Sequence, residues 1–231
     1  MVTASSSSSA LQGSVALAGA VLANASAPLI NTGGVLSSAS WTGAAIAPGG
    51  FISIFGSNLA DGSTLAPALP LQTTLGGLQV LLSGTPLPLE YAGSGQINAI
   101  VPYGAPLNST AQLVVARNGA AYSLPENVII AATQPAVFTQ DQSGQGPGAI
   151  LVVKPDQTQF LNTPQTPATA GDALEIFCTG LGAVSPPVAD GAAASATNLS
   201  YTVNPVTVQI GGQTVTPFYA GLAPASPACI R

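Results

Sequence analysis

Two stretches of this chain repeat each other in order. That repeat restricts the fold more than any other feature of the sequence. Ile54-Phe55-Gly56-Ser57-Asn58-Leu59 matches Ile176-Phe177-Cys178-Thr179-Gly180-Leu181 at an offset of 122 residues. Val80 to Gly84 and Tyr91-Ala92-Gly93 match Val208 to Gly212 and Tyr219-Ala220-Gly221 at an offset of 128. The offset grows by six, as one longer loop would cause. Self-similarity at a fixed period marks a duplicated structural unit. The expected division is a linker or low-complexity segment at 1–32 with a strand at 14–23, one domain at 33–132 and a second at 133–231. Gln134-Pro135 opens the second copy and leaves little room for a flexible joint.

The unit reads as β-structure. Phe51 to Phe55 lies between Pro48-Gly49-Gly50 and Gly56, and Leu78 to Leu82 ends at the turn residues Ser83-Gly84. Leu87 to Tyr91, Ile97 to Val101, Leu113 to Ala116 and Val128 to Ile130 are further short runs. Asn118-Gly119 after Leu113 to Ala116 is a strong hairpin signal, because both residues tolerate positive φ. No segment has a 3.6-residue apolar period with caps at both ends. Only 5% of the chain is charged, against about 25% in an ordinary soluble domain, and it holds 26 Gly and 20 Pro. Helices are not built from such material, whereas short strands and many turns are. The expected fold class is all-β, with an antiparallel sandwich in each half.

The same composition narrows the chemistry. There is no histidine, so imidazole acid–base catalysis and Ser–His–Asp triads have no base in this chain. Three cations, Arg117, Lys154 and Arg231, cannot neutralise a phosphate backbone, so no nucleic-acid partner is expected. No window supplies the ~20 apolar residues of a membrane-spanning helix. Val15 to Ile30 could be read as the core of a signal peptide, but residues 1–60 carry no charge and so lack its positive start. A linker with one edge strand is the simpler reading of that stretch. No cofactor and no metal site is expected.

The remaining chemistry-bearing residues have structural explanations beside functional ones. Asp61-Gly62 and Asp190-Gly191 read as turns, since no second acid stands near either to share a Ca²⁺ ion. Asp172 and Glu175 are the closest acidic pair, which a glycosidase would hold across a cleft; solvated surface acids explain them as well. Tyr91 and Tyr219 occupy equivalent positions and are candidate ligand-contact aromatics, able to stack on a sugar or to pack with the hydroxyl at an edge. Trp41 reads as a packing plug ahead of the first strand of the sandwich. Asn24, Asn108 and Asn198 begin glycosylation-type triplets of a kind that a Ser/Thr-rich chain produces by chance.

Each half runs turn, strand, Gly-x-x-Leu, then strand, Gly, strand, and the first copy closes with Ile97-Asn98-Ala99-Ile100-Val101-Pro102. That order resembles the immunoglobulin-like, plexin and transcription-factor (IPT/TIG) domains. At finer grain, Ala47 to Ala60, Gly95 to Pro102 and Thr179 to Gly191 resemble phrases of a family of uncharacterised C-terminal domains of large secreted soil-bacterial proteins. The resemblance covers nearly all of residues 33–224. It implies two tandem immunoglobulin-like sandwiches and an extracellular or cell-surface setting, and it implies no reaction. The expected function is a non-catalytic structural, adhesion or assembly module, with a carbohydrate-binding accessory of a secreted hydrolase as the alternative. Expected partners are other domains of a larger parent, a further copy through an exposed strand edge, or a polysaccharide.

In the resembled family the phrase matched by Tyr219 to Pro224 continues Gly-Phe-x-Gly-Leu-Tyr-Gln into further strands. Here Ala225 to Arg231 follow instead, and deletion of one nucleotide converts codons for the former into codons for the latter. On that reading the second sandwich is truncated and Cys229 is a by-product of the shifted frame. On the other reading, Cys178 and Cys229 stand on two strands that an immunoglobulin-type disulfide would join. Both readings of the two cysteines stay open at the level of sequence.

Overall fold

The computed structural model describes residues 2–4, 15–17 and 26–229, and every regular element among them is a strand. β1 (Val2–Ala4) and β2 (Val15–Leu17) pair antiparallel as a small separate sheet. Of the strand expected at 14–23, residues 15–17 are β2, and 14 and 18–23 lie outside the described residues.

Ten strands follow in the first half. They are β3 (Leu29–Ser37), β4 (Phe51–Ser57), β5 (Thr64–Leu65), β6 (Leu78–Leu82), β7 (Thr85–Pro86), β8 (Leu89–Ala92), β9 (Gln96–Ile100), β10 (Ser109–Arg117), β11 (Ala121–Tyr122) and β12 (Glu126–Ile130). One sheet has the order β3-β4-β9-β8-β5. In the other, β10 pairs with β6, β11 and β12, and β7 extends it beyond β6. All these ladders are antiparallel. Alternate residues of both sheets point at each other: Ile52 and Ile54 of β4 and Ile97 and Ala99 of β9 meet Val80 of β6 and Leu113 and Val115 of β10 in one core cluster. Ile54, Val80, Leu89, Ile97, Leu113 and Ile130 are wholly buried.

The turns are those the sequence announces. Ser83 and Gly84 take φ of 48° and 86° between the paired ends Leu82 and Thr85, the mirror-image turn that matches strand twist. Asn118 and Gly119 take 52° and 64°. Trp41 is misplaced by the sequence reading: β3 precedes it, so it follows the first strand. The sequence pattern does not announce β3, because Gly33-Gly34 interrupts its apolar alternation, and there the β3–β4 register shifts between Ile30 and Val35.

The second half contains β13 (Ala136–Val137), β14 (Ile150–Val153), β15 (Gln159–Leu161), β16 (Ala173–Ile176), β17 (Cys178–Thr179), β18 (Val184–Ser185), β19 (Tyr201–Thr202), β20 (Val208–Ile210) and β21 (Gln213–Val215). They form four small antiparallel sheets: β13-β17, β15-β14-β16, β18-β19 and β20-β21. The expectation of a second sandwich meets a different arrangement here. Its core is a small cluster of Leu181, Val184, Ala194 and Leu222.

The repeated residues nonetheless adopt repeated geometry. Asn58 and Gly180, equivalent at the 122 offset, both have positive φ, 53° and 79°. The hairpin β6–β7 has its counterpart in β20–β21, with Gly211 and Gly212 at φ 57° and 80° in place of Ser83 and Gly84. Each repeated Tyr lays its ring over the glycine two residues later. A Cβ on Gly93 would lie 2.6 Å from the Tyr91 hydroxyl oxygen, and one on Gly221 would lie 2.7 Å from that of Tyr219.

The halves meet through backbone and side-chain contacts. Phe51 N–H donates to Thr179 Oγ1 (2.9 Å), Tyr103 N–H to Asp190 Oδ1 (2.8 Å) and Leu71 N–H to the Gly191 carbonyl (2.8 Å). Trp41 Nε1–H donates to the Gln142 carbonyl at 2.6 Å. Tyr103 packs against the Leu181–Leu222 cluster, and Ala228 packs with Leu71, Ile100 and Phe51.

Candidate functional site

The outward face of β4, β9 and β8 gathers the polar and aromatic side chains that the core rejects. Because Ile52, Ile54, Ile97 and Ala99 point inward, Phe51, Ser53, Phe55, Gln96, Asn98 and Ile100 point outward. A bulge between Leu89 and Tyr91 sets Tyr91 opposite Asn98. Asn98 is the hub. Its Oδ1 accepts from Ser53 Oγ (3.2 Å) and Gln96 Nε2 (2.8 Å), and its Nδ2 donates to Glu90 Oε2 (3.4 Å). Trp41 and Phe55 stack at one end, 5.7 Å apart and tilted by 51°. The second half covers the other end, where Ala228 lies against Phe51 and Ile100. What remains open is a stripe of amides, a carboxylate and half-buried rings. It can form hydrogen bonds and apolar contacts with a neighbouring surface.

Sequence reasoning singled out Tyr91 on this face but missed Gln96, Asn98 and Glu90. The available signal was Gly95 to Pro102, in which two amides alternate with apolar residues on a strand. Tyr91 is half-buried, and its hydroxyl donates to Ser63 Oγ at 3.1 Å. Tyr219 is in the other half, where its hydroxyl donates to the Leu222 carbonyl (2.8 Å) and its ring meets Tyr201 edge-on, 5.1 Å away at 62°. The two repeated tyrosines are therefore in separate settings.

The acids serve local structure. Asp61 pairs with Arg117 (3.4 Å) and accepts from Asn118 Nδ2 (2.8 Å); Asp190 accepts from Tyr103 N–H. Asp172 departs from the sequence reading, because its side chain is only 3% exposed. Its carboxylate takes hydrogen bonds from Lys154 Nζ (2.8 Å), Thr169 N–H (2.7 Å) and Thr169 Oγ1 (2.9 Å). The Lys154 bond, then the Thr169 backbone bond, holds its carboxyl below the usual range. All three bonds converge on Oδ2 and tie the carboxylate to Lys154 and to the turn ahead of β16. Among the described residues no three His, Cys, Asp or Glu side chains gather as a metal site, and no helix is long and apolar enough to cross a membrane.

A cleft of about 110 Å³ opens between the β3 bulge and β12, lined by Gly33, Val35, Gly43, Glu126 and Val128. Small-molecule sites occupy roughly 300–1,000 Å³. Glu126 Oε1 already accepts the Gly33 N–H there, at 2.7 Å. At the junction of the halves, the Tyr103 hydroxyl is buried without a hydrogen-bond partner. Burial, and then the Asp190 carboxylate, pushes its pKa up to about 12.

Cys178 and Cys229 are not bridged to each other in the structure. Cys178 pairs with Val137 and packs against the cluster that holds Leu222, while Cys229 accepts at its carbonyl from Ala223 N–H (2.9 Å). No protein-family model, no curated protein and no solved structure matches the chain.

Proposed function

We propose that this chain is a non-catalytic structural module, two immunoglobulin-like units in tandem, working outside the cell as a spacer, adhesion or assembly element. The junction between the halves is the observation that carries this reading. Hydrogen bonds and two shared apolar clusters cross it, contacts that favour a fixed mutual orientation of the units. Inter-domain contacts of small area leave domains free to move, whereas a spacer must transmit position along its length. The polar stripe around Asn98 supplies a side surface for a neighbouring domain. Among the described residues β16 lies at the edge of the β15-β14-β16 sheet, the kind of position at which lateral strand pairing occurs. Antibody labelling of intact source cells is the test: surface labelling is expected, and labelling only after lysis would overturn the extracellular assignment.

The stripe itself favours a second reading, the carbohydrate-binding accessory. Amides and a carboxylate beside half-buried rings are groups that recognise sugar hydroxyls and ring faces. The Trp41–Phe55 tilt of 51° argues against it, since a flat sugar platform needs near-coplanar rings. Calorimetric titration with soluble polysaccharides separates the two, and heat abolished by Asn98→Ala would select the accessory.

A further inference from the structure

Cys178 and Cys229 are 51 positions apart in sequence, and the fold returns the C-terminal segment to β17. Three contacts fix that return. Leu222 shares a cluster with Cys178, and Ala223 N–H donates to the Cys229 carbonyl. Ala228 packs against Phe51, whose N–H donates to Thr179. The residues adjoining the two cysteines therefore bracket the same phenylalanine. The Cys229 sulfur also lies within reach of the Cys178 backbone N–H.

We propose that Cys178 and Cys229 are a disulfide-forming pair that staples the C-terminal segment to β17 in an oxidising thiol environment. The co-reactant is a low-molecular-weight disulfide. One protein thiolate attacks a sulfur of that disulfide, forming a mixed disulfide and expelling one small thiolate. The second protein thiolate then attacks the protein sulfur of the mixed disulfide and expels the other. Two protein thiols are oxidised and one small disulfide is reduced to two thiols, which take up the two protons. Attack requires thiolate. Burial pushes Cys178 up to about 12 and Cys229 up to about 11, Cys229 itself adding to the first shift and Glu175 to the second. Thiolate is therefore scarce at neutral pH, and closure is slow but hard to reverse by an external thiol.

The test uses the intact chain incubated with oxidised glutathione at a pH of about 8.5. Peptide mapping without reductant should show one linked pair containing Cys178 and Cys229, and the free-thiol count should fall from two to none. The unfolding midpoint should rise on the order of 10 °C, because a long loop is closed. Cys178→Ser and Cys229→Ser should each abolish both the linked pair and the rise. Persistence of both thiols, accumulation of glutathione adducts, or linkage only between separate chains would overturn the proposal. If a serine variant fails to fold, the wild-type peptide map decides alone.

Discussion

β4 and its counterpart at 173–179 come from matching sequence and meet different fates. β4 is one continuous strand held between β3 and β9. Its counterpart breaks at Phe177 into β16, on the edge of one sheet, and β17, which among the described residues pairs with β13. The difference traces to the strand beside it. β9 bonds to β4 along its length and joins it to β8. Its equivalents at the 128 offset, residues 224–228, form turns, with Ala225 at φ 62°. A strand signal thus fixes local extension, but a closed core requires the central strand that ties the others together.

The sharpest way to break the comparison is to remove the same side chain from both copies. Ile54 is wholly buried, whereas Ile176, its counterpart, is half-buried. Ile54→Ala should cost about 3–4 kcal/mol and Ile176→Ala about 1 kcal/mol in urea unfolding. Equal losses would mean that the second core is as tight as the first. Next in size is the pair Gly56 and Cys178. A Cβ at Gly56 would strike the Leu29 carbonyl of β3, while the second copy has room for a whole thiol. Gly56→Ala should destabilise by about 2–3 kcal/mol, and Cys178→Gly by about 1 kcal/mol.

Alkaline titration is the third test. The two thiols rise from 9.0 to about 12 and about 11, and Tyr103 from 10.0 to about 12. The fold holds these protons more firmly than the unfolded chain does. Their stabilisation is therefore whole below pH 9 and is lost as pH climbs towards 12. Under reducing conditions the midpoint should fall across that window, and Cys178→Ser should flatten its lower part. Smallest is Tyr103→Phe, which removes a buried hydroxyl without a partner and should change stability by no more than about 1 kcal/mol, in the stabilising direction. A clear loss there would mean that the hydroxyl is bonded in solution.

The legible part of the fold is the part encoded by neighbours in sequence. Leu78–Leu82 and the turns at Ser83-Gly84 and Asn118-Gly119 follow from alternation and from residues that tolerate positive φ. β3 was illegible because a bulge breaks its period, and the fate of 173–179 because it depends on a strand some fifty residues away. The polar stripe was half legible: Tyr91 recurs in the repeat, but Asn98 gains its role only once Ser53, Gln96 and Glu90 converge on it from three strands. Burial of Asp172 depends on Lys154, eighteen residues upstream, and periodicity carries no sign of that pairing.

The chain has one tryptophan, and its indole N–H is spent on the Gln142 carbonyl across the junction. Trp41 fluorescence is therefore a native reporter of the contact between the halves, blind to most of the first core. Separation of the halves, with both still folded, would expose the ring to water and shift its emission to the red while the far-ultraviolet strand signal stayed constant. A pull or a partner that loosens the joint could be followed by light alone, with no label attached.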